Sequence, residues 1–244
     1  PATLPLWKAA VGCIFAIAVV KQLFGGLGCN FANPAITGRV FLLLSFAGDM
    51  TTWVKPFYYH GLSIGNQLSS STGSLDLDAV TSATPLVTGT ASLSELFLGN
   101  VGGCIGETSA LALLLGGLFL IFTRVISPST PIAYLGSLGI LTFFHALATG
   151  GSLTEVPYAL LSGGVMIGAF FMATDYVTTP ITTKGKWIFG IGCGILTFVI
   201  REFASMPEGC SFSILLMNLL TPYIDKFTMT KPLGAKPIKQ KEEA

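Results

Sequence analysis

Seven segments of this chain are apolar over lengths that can cross or enter a bilayer. Polar connections separate them, and the longest connection, residues 54–103, follows the second segment. The pattern predicts an all-α polytopic membrane protein with one transmembrane domain over residues 1–230 and a mobile, charged tail at 231–244. The predicted segments are residues 6–24, 34–53, 104–123, 131–148, 157–174, 186–204 and 209–225.

The composition agrees with a lipid environment. Hydrophobic residues make up 51% of the 244 positions, charged residues make up 10%, and the mean hydropathy is +0.72. Soluble domains average about 25% charged residues. The net charge of +1 provides no basic surface for a phosphate backbone, so we expect no nucleic-acid partner. The five cysteines form no CxxC pair, so we expect them to serve as small hydrophobic residues. The two histidines, His60 and His145, lie far apart in the sequence, which disfavours a histidine-based metal site.

The positions of Lys and Arg predict the orientation in the membrane. The tail carries four lysines, so we place the C-terminus in the cytoplasm. The Ser-, Thr- and Gly-rich connection 54–103 then lies on the extracytoplasmic face, and only Lys55 and Arg201 fall outside the charge scheme. Besides the tail, the residues predicted on the cytoplasmic side are Lys21, Arg39, Arg124, Lys184 and Lys186.

The sequence begins with Pro1 rather than Met and shows no signal peptide. In the predicted orientation Pro1 lies outside, so a cytoplasmic N-terminus requires an odd number of additional spans. We therefore expect a fragment whose N-terminal part is missing. Residues 28–32 resemble residues 209–213, with five spans between them. Because five is an odd number of spans, the two copies would face opposite sides of the membrane, which is typical of the inverted repeats of transporters. Chance similarity of five residues is the alternative.

The polar connection contains a short motif that resembles a site of covalent flavin attachment. In the pattern Asp-x-x-[Ser/Thr]-[Gly/Ser]-Ala-Thr, FMN is joined through its phosphate to the last threonine. Small residues such as Ser82 and Ala83 let a transferase approach the backbone, and Asp78 can position the incoming group or its metal. The alternative is a Ser/Thr-rich turn that ends at Pro85. The matching sequence is Asp78-Ala79-Val80-Thr81-Ser82-Ala83-Thr84.

Five further motifs have counterparts in one family of membrane redox proteins. They are GGLGCNFANPA at residues 25–35, GETS at 106–109, FMATD at 171–175, PEG at 207–209 and NLLTPYID at 218–225. With the threonine motif, they resemble the D subunit of Rnf complexes and the related B subunit of the sodium-pumping NADH:quinone oxidoreductase. The resemblance covers essentially the whole chain. The C-terminal motifs, and Ser82 where Gly is common, are more similar to the Rnf D subunit.

The resemblance implies an electron-transfer subunit of an ion-translocating ferredoxin:NAD⁺ oxidoreductase, with covalent FMN on Thr84 and no activity alone. It implies an inverted-repeat helical bundle similar to urea transporters, with about ten spans in the intact subunit against seven here. The implied partners are a flavin transferase during maturation and the Rnf subunits that hold iron–sulfur centres, a second covalent FMN and the nucleotide site. The implied location is the cytoplasmic membrane of a bacterium or archaeon.

Asn30 and Asn33 lie in a Gly-rich turn before a helix that is predicted to begin at Pro34. Irregular backbone at membrane depth is tolerated where it is buried or lines a cavity. The related quinone-reducing subunit holds a non-covalent riboflavin near the matching asparagines, so the resemblance implies a second flavin at Asn30 and Asn33. Capping of the helix by Asn33 is the alternative.

Glu107 and Asp175 are the carboxylates closest to the membrane, which makes them candidates for ion handling. Glu107 is predicted near the start of its helix, where the helix dipole favours a negative charge. Asp175 is predicted at the C-terminal end of its helix, where the dipole disfavours the charge. The hydroxyls of Thr178 and Thr179 could join Asp175 around a hard cation such as Na⁺. We therefore rank Asp175 above Glu107.

Three other functions are compatible with the sequence. The same scaffold can serve as the B-type subunit of a sodium-pumping NADH:quinone oxidoreductase, and an assay with ferredoxin against quinone separates the two. A passive solute channel of the urea-transporter type, or a purely structural scaffold, predicts no flavin. The sequence does not distinguish Na⁺ from H⁺ coupling.

Overall fold

The computed structural model describes residues 1–26, 28–53, 91–204 and 209–229. Within these ranges the chain is helical and has no β-strand, which confirms the all-α prediction. The predicted tail at 231–244 lies outside the described residues. In chain order the helices are α1 (Leu6–Ile14) continued by the π-helix π1 (Phe15–Gln22), α2 (Pro34–Ser45), α3 (Ala47–Met50), α4 (Leu93–Leu98), α5 (Ala110–Phe122), α6 (Ser129–Thr149), α7 (Glu155–Leu161), α8 (Val165–Ile167) continued by the π-helix π2 (Gly168–Met172), α9 (Thr183–Phe203) and α10 (Cys210–Thr228).

The predicted apolar segments all coincide with helices, but several of these helices are short. In the described part of the chain, α6 and α9 are each 21 residues long and apolar enough to cross a membrane. The bent pair of α7 with α8 and π2 makes a third candidate span. The apolar helices α2 and α5 have only 12 and 13 residues. The count of seven spans therefore stays a prediction, while the apolar helical architecture agrees with a multi-pass membrane protein.

Local capping explains where several helices begin and end. Ser109 caps α5, because its Oγ accepts a hydrogen bond from the Ala112 N–H at 3.3 Å. Thr182 caps α9 in the same way through the Gly185 N–H at 3.0 Å. The helix α6 ends at Gly150, whose φ of +72° lies in the left-handed region that glycine adopts readily.

The core of the bundle depends on close contact between α6 and α9. A Cβ atom on Gly190 would lie 2.6 Å from the Ala133 Cβ and 2.8 Å from the Thr130 carbonyl oxygen. A Cβ atom on Gly194 would lie 2.8 Å from the Tyr134 carbonyl oxygen. Small residues let helix backbones approach closely where the surrounding lipid is as apolar as the helices themselves. The two glycines, one turn apart, therefore set the distance between the two longest helices.

The predicted span 157–174 is broken rather than continuous. The axes of α7 and of α8 with π2 differ by 64°. Ser162 is extended (φ −91°, ψ 143°) and Gly163 has φ +64°, so the α-helical conformation ends here. Hydropathy averages over a whole segment, and for that reason the predicted span runs across the break.

Arg201 of α9 stabilises this break. Its guanidinium donates hydrogen bonds to the carbonyl oxygens of Ala159 at 2.7 Å and Ser162 at 3.0 Å. The last carbonyls of a helix have no partner within the helix, and a buried helix end needs one from elsewhere. This contact explains why an arginine occupies a position that the predicted charge scheme did not accommodate.

The two copies of the predicted internal repeat differ in local conformation. Residues 28–32 are non-helical and precede α2, whereas residues 210–213 already belong to α10. The similarity of sequence therefore does not extend to local structure at these two positions, and the inverted repeat stays a prediction.

Candidate functional site

The predicted flavin-attachment sequence at residues 78–84, with its acceptor Thr84, lies outside the described residues. Its role therefore stays a prediction. The two flanks of the connection that carries it lie together, because the Trp53 indole N–H donates to the Cys104 Sγ at 3.4 Å. The residues that directly flank the connection, Trp53 and Cys104, are therefore in contact.

The helix α2 begins beside the middle of α10. The side-chain amide of Asn218 on α10 is oriented with its nitrogen towards Thr178. In this orientation its Oδ1 accepts a hydrogen bond from the Asn33 backbone N–H at 3.1 Å. Further along α2, Arg39 Nη1 donates to the Ser211 Oγ, near the start of α10, at 2.6 Å. These two contacts show that α2 runs antiparallel to the first half of α10. The N-terminus of α2 therefore lies within the bundle, as in the half-helices that form binding sites in transporters.

The non-helical segment 173–182 follows the second half of α10. Non-helical backbone at membrane depth needs hydrogen-bond partners from the protein, because lipid provides none. The helix α10 provides such partners from one face, at intervals of three or four residues, and adds one contact between side chains, from Thr182 to Thr228. The contacts are Asn218 Nδ2 to the Thr178 carbonyl (3.2 Å), Thr221 Oγ1 to the same carbonyl (2.9 Å), the Ile181 N–H to Asp225 Oδ1 (3.0 Å) and Thr182 Oγ1 to Thr228 Oγ1 (2.7 Å).

Asn33 caps α2, which confirms the capping interpretation. Its Oδ1 accepts hydrogen bonds from the Ala35 N–H at 3.0 Å and the Ile36 N–H at 3.2 Å. The Asn30 side chain makes a local hydrogen bond, from Nδ2 to the Ala32 carbonyl at 3.1 Å. These bonds do not test a contact with a second flavin, which stays a prediction for both asparagines.

Asp175, which is predicted at the C-terminal end of its helix, lies three residues beyond the end of π2 at Met172. Its Oδ2 accepts a hydrogen bond from Thr178 Oγ1 at 2.9 Å, and its carbonyl oxygen accepts one from Thr179 Oγ1. The three residues predicted to surround a cation thus lie together. The same bonds give Asp175 a structural role, because they close the turn that leads into the segment along α10.

Glu107 lies near the start of α5, as predicted, two residues before the capping residue. Ser109 occupies the capping position. The Glu107 carboxylate accepts the Cys104 N–H on Oε1 at 2.9 Å, and its Oε2 lies 4.0 Å from Arg39 Nη2. Only 8% of the Glu107 side chain is exposed. The charge of Glu107 thus lies close to the positive charge of an arginine of α2.

Arg39 and Lys186, which are predicted on the same side of the membrane, lie near opposite ends of α10. Arg39 contacts Ser211 near the start of α10. Lys186 lies in the first turn of α9, which meets α10 at Thr228, the last residue of that helix. At 1.5 Å per residue the two positions on α10 are about 25 Å apart. Arg39 has Glu107 as a partner within the protein, and the side of the membrane on which Arg39 lies stays a prediction.

A buried polar cluster joins α6, α9 and α10 inside the bundle. The Tyr134 hydroxyl lies 2.7 Å from Thr197 Oγ1, 3.4 Å from Ser213 Oγ and 3.2 Å from Cys210 Sγ. Thr197 Oγ1 and Ser213 Oγ are 2.7 Å apart. All four side chains are almost fully buried, and such hydrogen bonds hold membrane helices in register.

Sequence reasoning did not single out the polar face of α10 or the buried cluster. The signal for the first was present: Asn218, Thr221, Asp225 and Thr228 recur at intervals of three and four residues, which places them on one face of an otherwise apolar helix. The buried cluster had no comparable signal, because its polar residues are distributed over three helices that are separate in the sequence. In the described ranges, no group of three or more His, Cys, Asp or Glu side chains is arranged to hold a metal ion.

Comparison with known proteins gives consistent relationships along the chain. The model of the NQR2, RnfD, RnfE family matches residues 1–234. The D subunit of the Na(+)-translocating ferredoxin:NAD(+) oxidoreductase complex of Acetobacterium woodii is 46% identical over an alignment that is 254 residues long. The alignment covers 100% of this chain and 72% of that relative. The D subunit of the proton-translocating ferredoxin:NAD(+) oxidoreductase complex of Clostridium ljungdahlii is 42% identical, covering 97% and 71%. The D subunit of the ion-translocating oxidoreductase complex of Stutzerimonas stutzeri is 40% identical, covering 96% and 72%. The chain therefore belongs to the NQR2, RnfD, RnfE family.

Proposed function

We propose that this chain is a membrane subunit of an ion-translocating ferredoxin:NAD⁺ oxidoreductase. The observation that carries the proposal is the 46% identity to the D subunit of such a complex over the whole of this chain. The apolar helices support a position in the membrane, and the relatives' names support a complex with other Rnf subunits. The nucleotide and iron–sulfur centres belong to those subunits in this proposal.

The proposed redox group is FMN bound covalently to Thr84. The Thr84 oxygen forms a phosphoester with the phosphorus of FMN, and the hydroxyl proton is lost. A flavin dinucleotide supplies the FMN to a separate transferase and releases a nucleoside monophosphate. The residues of the recognition motif are Asp78, Thr81, Ser82 and Ala83. When bound, FMN supplies the electron-transfer chemistry, while the protein supplies position and electrostatic environment.

The flanks of the 54–103 connection support an extracytoplasmic position for Thr84. Cys104, at the end of this connection, contacts Arg39 and so lies towards the start of α10. Lys186 lies near the other end of α10. Positive residues favour the cytoplasmic side, so the flavin-bearing connection belongs on the opposite side.

We further propose that the ion pathway passes near the start of α2. Glu107 and Asp175 are the carboxylates assigned to it, and Asn30 and Asn33 are the residues assigned to a non-covalent riboflavin. A half-helix start within the bundle is a common location for ion and substrate sites. The relatives' names do not select the ion, because one relative is named for Na⁺ and another for protons.

In-gel flavin fluorescence tests the redox assignment. The complex is purified from cells that contain the flavin transferase, and its subunits are separated under denaturing conditions. We expect a fluorescent band for the wild-type subunit and for the control Thr88→Ala, and a dark band for Thr84→Ala. Ferredoxin-dependent NAD⁺ reduction should fall with the band. A fluorescent Thr84→Ala band would refute attachment at this residue.

A passive solute channel is the second candidate, and the half-helix start beside Asn218 favours it. A channel would pass small neutral solutes through liposomes without a redox substrate, and its flux would be unchanged in Thr84→Ala. Electron-transfer activity that depends on Thr84, without such a flux, would exclude the channel.

A further inference from the structure

A cavity of about 570 Å³ opens at the end of the bundle where α5 ends and α6 and α9 begin. This volume is within the range of about 300–1,000 Å³ that is typical of ligand sites. Among its described lining residues, two carry a positive charge, Arg124 and Lys186, and none carries a negative charge. The cavity is therefore electropositive.

The charges of the two cations are not neutralised by nearby carboxylates. Within the described ranges, no Asp or Glu lies within ion-pair distance of Arg124 or Lys186. On the neighbouring segments, Asp175 and Asp225 accept hydrogen bonds from Thr178 and the Ile181 N–H and form no ion pair with either cation. An anion from outside the chain can thus approach both cations.

The backbone at Arg124 supports a role for its side chain. Arg124 has φ +59° and is the only non-glycine residue with positive φ among the described residues. Its N–H bonds to the Ile121 carbonyl at 3.0 Å, so Arg124 occupies the position after a helix end where glycine is usual. Strained backbone at a non-glycine residue often marks a functional side chain. A glycine would make the same turn without strain, so the turn alone does not account for an arginine.

The cavity also has features of a membrane interface. The capping residue Pro128 and Thr130 in the first turn of α6 line the cavity, and the positive end of the helix dipole there attracts anions. Tyr176 and Ile181 line the cavity and are 75% and 72% exposed, so the cavity is open to its surroundings. Trp187, next to Lys186, is exposed as well. Exposed Trp and Tyr near basic residues are typical of the level of lipid headgroups.

We propose that this cavity binds the phosphate group of an anionic phospholipid. Arg124 and Lys186 contact the phosphate, and the apolar wall, which includes Ile126 and Ile181, contacts the glycerol and the upper part of the acyl chains. A free phosphate ion shares the charge but leaves the apolar wall without a partner, so the lipid fits better. Basic pockets between membrane helices are known to select such headgroups.

The test measures lipid binding to the purified complex. The complex is exchanged into a nonionic detergent, and dioleoylphosphatidylglycerol is titrated while native mass spectrometry counts bound lipid. The lining variant is Arg124→Gly with Lys186→Gln, in which the glycine relieves the backbone strain. The matched control, Lys184→Gln with Lys226→Gln, removes the same charge outside the lining. A basic residue near the membrane surface contributes about fivefold in affinity, so the lining variant should bind about 30-fold more weakly.

Three results would overturn the proposal. The first is equal phosphatidylglycerol affinity in the wild type and the lining variant. The second is equally tight binding of dioleoylphosphatidylcholine, which lacks the net charge. The third is complete displacement of phosphatidylglycerol by millimolar inorganic phosphate, which would assign the cavity to a free anion. If the double variant does not assemble, Lys186→Gln alone should show about a fivefold loss, and no loss would refute the proposal.

Discussion

Replacing Gly190 and Gly194 with alanine should separate α6 from α9. The new Cβ atoms would lie 2.6 Å from the Ala133 Cβ and 2.8 Å from the Tyr134 carbonyl oxygen, closer than the 3.0 Å that real Cβ contacts respect. Backbone atoms and a Cβ cannot rotate away as the end of a flexible side chain can. The two longest helices must therefore move apart by several tenths of an ångström.

The magnitude follows from two opposing effects. Overpacking costs about 1–3 kcal/mol at each site, and alanine returns about 1 kcal/mol of helix propensity relative to glycine. The pair of substitutions should therefore destabilise the fold by about 2 kcal/mol in total. Gly136 on α6 is the matched control, because a Cβ there meets no atom within 4 Å. Gly136→Ala should be neutral or stabilising by up to about 1 kcal/mol.

The measurement is the thermal unfolding of the purified complex in detergent. Unfolding is monitored as the loss of the peak of the assembled complex in size-exclusion chromatography. For a chain of this size, about 2 kcal/mol corresponds to a midpoint lowered by roughly 4–8 °C. If the Gly190→Ala, Gly194→Ala double variant is as stable as the Gly136→Ala control, the close approach of α6 and α9 is refuted.

Three further experiments test individual contacts. Arg201→Met should destabilise the complex by about 1–3 kcal/mol, since it leaves buried carbonyls without a donor, and an unchanged thermal midpoint would contradict the proposed cap. Thr221→Val removes the hydroxyl that donates to the Thr178 carbonyl; amide hydrogen exchange around Thr178 should accelerate, and unaltered protection would count against the contact. A double-mutant cycle of Arg39→Gln and Glu107→Gln should give a coupling energy of about 0.5–3 kcal/mol, and strict additivity would show that the pair does not interact.

The long helices could be predicted from the sequence because continuous apolarity is a strong signal. The predicted segments 131–148 and 186–204 lie within three residues of α6 and α9. The start of α2 was also predictable, since Asn33 followed by Pro34 is a typical helix beginning. These features depend on neighbouring residues along the chain and so are visible in the sequence.

The break in 157–174 and the depth at which α2 begins were not predictable in the same way. Hydropathy records how apolar a segment is, but a half-helix and a full span have the same composition. The charge rule likewise assumes that Arg and Lys face water. Arg39 and Arg201 instead have partners inside the protein, which only the tertiary arrangement reveals.

For the candidate site, sequence and structure contribute different parts. The Thr84 motif depends on the sequence alone, because it lies outside the described residues. The hydrogen-bonded link from Asn33 through Asn218 to Thr178 and Asp175 depends on the fold. Asn33 and Asn218 are 185 positions apart in the chain, so their contact is not visible in the sequence. The family model matches residues 1–234, which include both the Thr84 motif and the residues of this link.

Mass spectrometry of the peptide that contains Thr84 tests the central claim most directly. The peptide is prepared from the mature complex, purified from cells that contain the flavin transferase. We predict that its mass exceeds that of its amino acids by the mass of FMN less one water, and that fragmentation places the addition on Thr84. A peptide with only the mass of its amino acids, from a complex that retains ferredoxin-dependent NAD⁺ reduction, would contradict the proposal that Thr84 carries the flavin.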